Sequence, residues 1–95
     1  MNMTTEQLSE LENLAYNLIE IPLMAVILEI DELTLRDALR VPESAEYKAY
    51  YRGYGKQLLE LRESIIRSAK NGSNPAQEQL MKIMQRFEAD KPKQI

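Results

Sequence analysis

An all-α fold is what this sequence predicts, and three observations carry the prediction. From Ala45 to Lys70 apolar side chains fall at Tyr47, Tyr51, Tyr54, Leu58, Leu61, Ile65 and Ala69, in steps of four and three. That spacing keeps them on one stripe of a helix. Start and stop signals for further, shorter helices flank it on both sides, and no run alternates apolar with polar residues as a half-buried strand does. The expected architecture is a head of three short helices, then the long helix, then a shorter helix returning antiparallel along its end.

Each element has its own warrant. Thr4 followed by Gln7 fits a capping box, and Leu8, Leu11, Ala15, Leu18 and Ile19 then recur at helical spacing, so the first helix is expected over Thr5–Glu20. Pro22 suits the first turn of a second helix, Pro22–Leu28. Asp31 is a natural N-cap for a third, Glu32–Arg40, with Leu35, Ala38 and Leu39 facing inward. Val41-Pro42 ends it, because the residue before a proline avoids the helical region. The long helix starts at Pro42 or Ser44. Asn71-Gly72-Ser73-Asn74-Pro75 is a turn in which Gly72 supplies a left-handed residue and Pro75 opens the last helix, Pro75–Glu88. That helix shows Ala76, Leu80, Ile83, Met84 and Phe87 on one face. The domain organisation expected is a head over 1–42, a hairpin over 43–90 and a polar tail over 91–95.

Composition narrows the function classes. The 95 residues hold a hydrophobic fraction of 44%, enough for one small core, and they include neither Cys nor His. Thiol chemistry is excluded, and the commonest general base and metal ligand are missing, so no enzyme activity, metal or cofactor is expected. The formal charge of −3 is unevenly spread. Residues 1–35 carry Glu6, Glu10, Glu12, Glu20, Glu29, Asp31 and Glu32 and no base, whereas every Lys and Arg lies later. A polyanion would therefore meet the later part of the chain more readily. The most apolar run, Ile19–Ile30, is broken by Glu20, Pro22 and Glu29 and is too short to span a bilayer. With no basic segment before it there is no secretion signal either, so a cytoplasmic location is expected.

Three short helices with a tight link between the second and third are the plan of a helix-turn-helix. Such motifs often read I-A-x-x-L-G-V-S followed by x-x-T-v. Met24-Ala25-Val26-Ile27-Leu28-Glu29-Ile30-Asp31 occupies that register, with Thr34 and Leu35 where the following Thr and apolar residue belong. Ala25 would allow close packing, Ile30 would plug the turn and Asp31 would cap the recognition helix. A plain αα-corner fits the same residues. Glu29 stands where Gly usually relieves a left-handed turn, at a cost on the order of 1 kcal/mol. The recognition helix would offer Glu32, Leu33, Arg36, Asp37 and Arg40 to a groove, and its two acids repel phosphates. Arg36 and Arg40 are the candidates for base contact, with Thr34 for a phosphate; solvated charges next to Glu32 and Asp37 are the alternative.

Val26 and Ile27 fall at positions that are usually polar, so a cover is expected from the first helix, the long helix or another subunit. On the long helix Leu59 and Ile66 lie about 100° from the main stripe, a second shoulder that calls for a second neighbour. Tyr47, Tyr50, Tyr51 and Tyr54 combine an apolar body with a polar tip, as interface residues do, with packing on the head as the alternative. Gly53 and Gly55 point to close helix approach or a bend. Lys48, Arg52 and Lys56 rise at i, i+4 spacing, either as a solvated face or as a strip touching phosphates.

Taken together, the order of elements resembles that of bacteriophage terminase small subunits, the DNA-recognition components of genome-packaging motors. The resemblance spans about Leu18 to Met84. It rests on the register at Met24–Leu35, on Pro42 and Glu43 before Tyr47-Lys48-Ala49-Tyr50-Tyr51-Arg52-Gly53, on the Lys56–Ile66 pattern, and on Ala69-Lys70-Asn71-Gly72-Ser73-Asn74-Pro75-Ala76 followed by Leu80 and Met81. It implies a non-enzymatic protein that engages duplex DNA weakly and through many copies. It also implies assembly into a homo-oligomer such as a ring, through a helical hairpin, and delivery of DNA to a separate terminase large subunit in the host cytoplasm. Thr34, Arg36 and Arg40 match the recognition positions; Tyr47, Tyr51, Tyr54, Leu58, Leu61 and Ile65 match the assembly helix. The acidic recognition helix departs from the pattern, and a C-terminal segment for docking the motor is expected to be short or absent. A dimeric helix-turn-helix transcriptional regulator, or a protein-interaction adaptor without DNA binding, would also suit these elements.

Overall fold

The computed structural model describes residues 2–92, and these are all-helical. Five helices follow in order: α1 (Thr5–Tyr16), α2 (Ile21–Leu28), α3 (Glu32–Ala38), α4 (Ala45–Lys70) and α5 (Asn74–Ala89). They fall into two compact units, one up to Leu59 and one from Glu60.

The first unit is built on local chemistry that closes each helix. The Thr4 hydroxyl accepts from the Gln7 amide at 3.1 Å while the Gln7 side chain accepts from the Thr4 amide at 2.9 Å. This reciprocal cap satisfies two of the amides that a helix start leaves open. At the other end α1 stops at Tyr16, four residues before the expected Glu20. Leu18 takes a left-handed φ of 59°, its amide donates to Ala15 (3.0 Å), and the Ile19 amide donates to Leu14 (3.1 Å). That double closure reverses the chain. Leu18, expected to face inward, is consequently exposed, and Ile19 packs against the core in its place.

The end of α2 repeats this geometry. Glu29 has φ 56°, its amide reaches Val26 at 3.2 Å, and the Ile30 amide reaches Ala25 at 2.9 Å. Ile30 packs against the core, as expected for the turn residue. A left-handed L-residue costs about 1–2 kcal/mol, and at both ends the apolar residue that follows is delivered to the core. Asp31 then caps α3, its carboxylate accepting from the Thr34 amide at 3.0 Å. This helix ends at Ala38, two residues short of Arg40, because the Arg40 and Val41 amides tighten onto Asp37 and Ala38, three residues back.

Leu11, Met24 and Leu35, one from each of α1, α2 and α3, are fully buried. Ala15, Ala25, Leu28, Leu39 and Ala49 complete the core. Ala49 brings α4 into it, so the unit runs on past the 42/43 boundary expected from the sequence. The face of α4 that enters is not the tyrosine stripe. Buried there are Glu46, Ala49 and Gly53, while Tyr51 and Tyr54 stay exposed. Small side chains let the helix axes approach: a methyl at Gly53 would run into the Glu12 carbonyl oxygen and lie 3.1 Å from the Tyr16 amide nitrogen. Gly55, by contrast, faces open space. Only Gly53 is a close approach.

In the second unit the chain turns at Gly72 (φ 94°), and the closure is again the same: the Gly72 amide donates to Ala69 and the Ser73 amide to Ser68, each at 3.1 Å. The Ser73 hydroxyl caps α5 on the Ala76 amide at 3.4 Å, and the Gln77 side chain donates to the Ala69 carbonyl at 3.1 Å. Arg62 shares a depression with Arg86, Phe87 and Asp90, so α5 returns antiparallel along α4. Ala69 and Ala76 are buried at the turn. Leu61, Met84 and Phe87, expected on the inner faces, remain exposed, because two helices of this unit cover each other on one side only.

Candidate nucleic-acid interface

The exposed outer side of α3 carries Glu32, Leu33, Thr34 and Asp37, with Arg36 half-buried among them, and Arg40 is exposed in the turn that follows the helix. Every polar group there already has a neighbour. The Arg36 Nε donates to the Glu32 carboxylate at 3.0 Å, and an Arg40 terminal nitrogen donates to Asp37 at 3.2 Å. The Thr34 hydroxyl donates to Asp31 at 3.1 Å. These are short-range pairs at three- and four-residue separations, and in them the charges of Glu32 and Asp37 are offset by Arg36 on the helix and Arg40 just beyond it. The guanidinium groups keep further donors: Arg36 spends only Nε and Arg40 one terminal nitrogen, out of five N–H groups each.

The lysine–arginine strip on α4 has a different fate. Arg52 and Lys56 both close on the Glu12 carboxylate of α1, each at 3.0 Å. Lys56 and then Arg52, by hydrogen bonding, hold the Glu12 carboxyl below its ordinary value of 4.5. Gln57 adds a bond from its side-chain amide to the Tyr16 carbonyl at 2.9 Å, satisfying an orphan acceptor at the end of α1. So Arg52 and Lys56 fasten α4 across α1. Lys48 lines a groove between these helices with Thr5, Ser9 and Glu12 and has no salt bridge among the described residues.

The structure does not gather the six candidate polar residues into one basic patch. Thr34 and Arg36 lie on α3 and Arg40 in the turn after it; Lys48, Arg52 and Lys56 lie against α1. What sequence reading missed is Glu12, the common partner of two of them. No local signal marks it, since 40 and 44 residues separate the pairs. Glu46, Ala49 and Gly53 have helical spacing in the sequence, but nothing local marks theirs as the covered face.

The apolar candidates are open. Val26 is 72% exposed and Ile27 43%, so neither α1 nor α4 covers them. Leu59 is 61% exposed, and Ile66 is half-buried. Tyr47 and Tyr50 are half-buried, whereas Tyr51 and Tyr54 are exposed. Tyr51 sits 4.5 Å from the Tyr47 ring and edge-on to Tyr50 at 5.0 Å. Burial raises the Tyr50 phenol, reinforced by Tyr51 and Tyr54 and opposed by Arg36.

Among the described residues no group of three or more acidic side chains is placed to hold a metal ion, and no helix is long and apolar enough to cross a membrane. Comparison with known protein families, curated proteins and solved structures finds no match to this chain.

Proposed function

We propose that this chain is a non-enzymatic, oligomeric DNA-binding adaptor of the terminase small-subunit kind, engaging duplex DNA through α2 and α3 as a helix-turn-helix. The observation that carries the reading is the way α2 and α3 are joined. Ala25 is buried at their contact, Glu29 makes the left-handed turn, Ile30 plugs it and Asp31 caps α3. That arrangement leaves the outer side of α3 free for a major groove. Two acids beside two arginines make each contact weak, so function depends on many heads bound at once. The exposed Val26, Ile27 and Leu59, with Tyr54 and the half-buried Tyr47 and Ile66, are the surfaces through which copies would assemble. By the same resemblance, a separate large subunit in the host cytoplasm would receive the DNA.

The test is retention of duplex DNA at about 50 mM salt, where phosphate contacts are strongest, together with the mass in solution. A mass of many subunits with DNA retained is expected, and Arg36→Glu with Arg40→Glu should abolish retention. If a Lys48/Arg52/Lys56 triple change to Gln abolishes it instead while the helical circular dichroism and thermal unfolding stay those of the parent, the DNA surface lies on α4. A dimer would favour a transcriptional regulator. A second reading, a protein-interaction adaptor, is favoured by the carboxylate partner found beside each of Arg36, Arg40, Arg52 and Lys56. A monomer that retains no DNA at low salt would leave only that reading.

A further inference from the structure

Between α3 and α4 lies an open cleft of about 180 Å³ lined by Ile21, Arg36, Leu39, Arg40, Tyr50 and Tyr51. It is smaller than the ~300–1,000 Å³ of pockets that enclose drug-sized ligands, so it has room for one flat ring system. Its lining pairs two kinds of group that meet where unpaired nucleotides are bound. Tyr51 keeps 47% of its surface open while Tyr47 and Tyr50 brace it from the sides. Arg36 and Arg40 reach the same cleft with donors left over from their carboxylate partners. Glu32 and Asp37 orient these guanidinium groups and cancel their net charge, so attraction to phosphate is local and modest. The Tyr50 hydroxyl has no hydrogen-bond partner among the described residues and is free to meet a base edge.

We propose that this cleft binds one unpaired nucleobase of single-stranded DNA, stacked on Tyr51, with the adjoining phosphate taken by the free donors of Arg36 and Arg40. Tyr50 and Tyr51, expected from the sequence in a subunit interface, are thereby assigned to a ligand. The inference rests on the nucleic-acid reading of α3, whose two arginines it shares, but it adds a different substrate form. An adaptor with such a site would favour duplex that is frayed, nicked or flanked by an unpaired stretch.

Anisotropy of a short labelled oligo(dT), set beside a blunt duplex, tests it on the full chain. Stacking on an aromatic ring supplies ~1–3 kcal/mol per base, so Tyr51→Leu should weaken oligo(dT) binding at least about fivefold, whereas Tyr51→Phe keeps it. Duplex retention should be unchanged by either. With only two arginines engaged, log K should fall with log salt no more steeply than about −1.5. Tyr51 is exposed, so both variants should keep the helical circular dichroism of the parent. Absence of oligo(dT) binding, equal binding by both Tyr51 variants, or a steeper salt slope overturns the proposal. So does a change of oligomeric mass in Tyr51→Leu, which would return Tyr51 to an interface. If oligo(dT) binds through Tyr51 while blunt duplex is not retained, the duplex reading fails and this one stands. If duplex is retained and oligo(dT) is indifferent to Tyr51→Leu, this one fails alone.

Discussion

Gly53 and Gly55 sit two residues apart on α4 and look alike in the sequence, yet their surroundings are opposite. A Cβ at Gly53 would lie 2.9 Å from the Glu12 carbonyl carbon and closer still to its oxygen, and a backbone carbonyl cannot rotate away as a side chain could. At Gly55 nothing lies within 4 Å. Gly53→Ala should therefore push α4 off α1 and destabilise the first unit by at least ~1–3 kcal/mol, the usual cost of overpacking. Gly55→Ala should stabilise it by ~0.5–1 kcal/mol, since alanine loses less backbone entropy in a helix. Urea unfolding of the two variants checks both signs; a like effect from both would mean that the α1–α4 crossing is not as described. Leu18 and Glu29 make the complementary point, because each spends strain in a left-handed conformation to bring the next isoleucine to the core.

The tie between α1 and α4 is the main electrostatic feature at the level of elements. Glu12 receives Lys56 and Arg52 at the same carboxylate, and both interactions lower its pKa. A carboxylate whose folded-state pKa is depressed adds stability that is fully present above its unfolded value. That stability is lost as pH falls through the lower folded value. Stability of the first unit should thus decline as pH drops below about 4.5. Glu12→Gln should remove that component of the decline and cost ~0.5–1 kcal/mol at neutral pH, in keeping with partly exposed ion pairs. Thermal unfolding of parent and variant across pH 3–7 reads this directly: curves that stay parallel through the acid range would show that the clamp carries no stability.

Over the whole molecule, exposed apolar surface and uneven charge set what the chain can do with others. All seven acids up to Glu32 precede the first base, so two copies meeting head against head repel, whereas a head meeting the later, basic residues of the next copy does not. Contacts between unlike surfaces repeat from copy to copy and close into rings when the rotation allows. Val26 and Ile27 stand open on the acidic head, on a helix that is otherwise core-facing at Met24, Ala25 and Leu28. On the proposal that copies assemble through this face, Val26→Lys with Ile27→Lys should lower the mass measured by light scattering while leaving helical content unchanged. An unaltered mass would move the interface to Leu59, Ile66 or the exposed side of α5.

Much of the fold was legible because its signals are local. Thr4 with Gln7, Asp31 and Gly72 act within a few residues of themselves, and the structure has each at the cap or turn its chemistry demands. The end of α1 was misread because leucine is not a residue that marks a left-handed turn. The candidate site was less legible. Which side of α4 is buried, and that Arg52 and Lys56 hold Glu12, depends on how two helices 40 residues apart come to lie together. Periodicity names the stripes on a helix without saying which one a neighbour will cover. Here the neighbour chose the small residues Ala49 and Gly53, because only there can two backbones approach so closely, and Tyr51 and Tyr54 were left facing out.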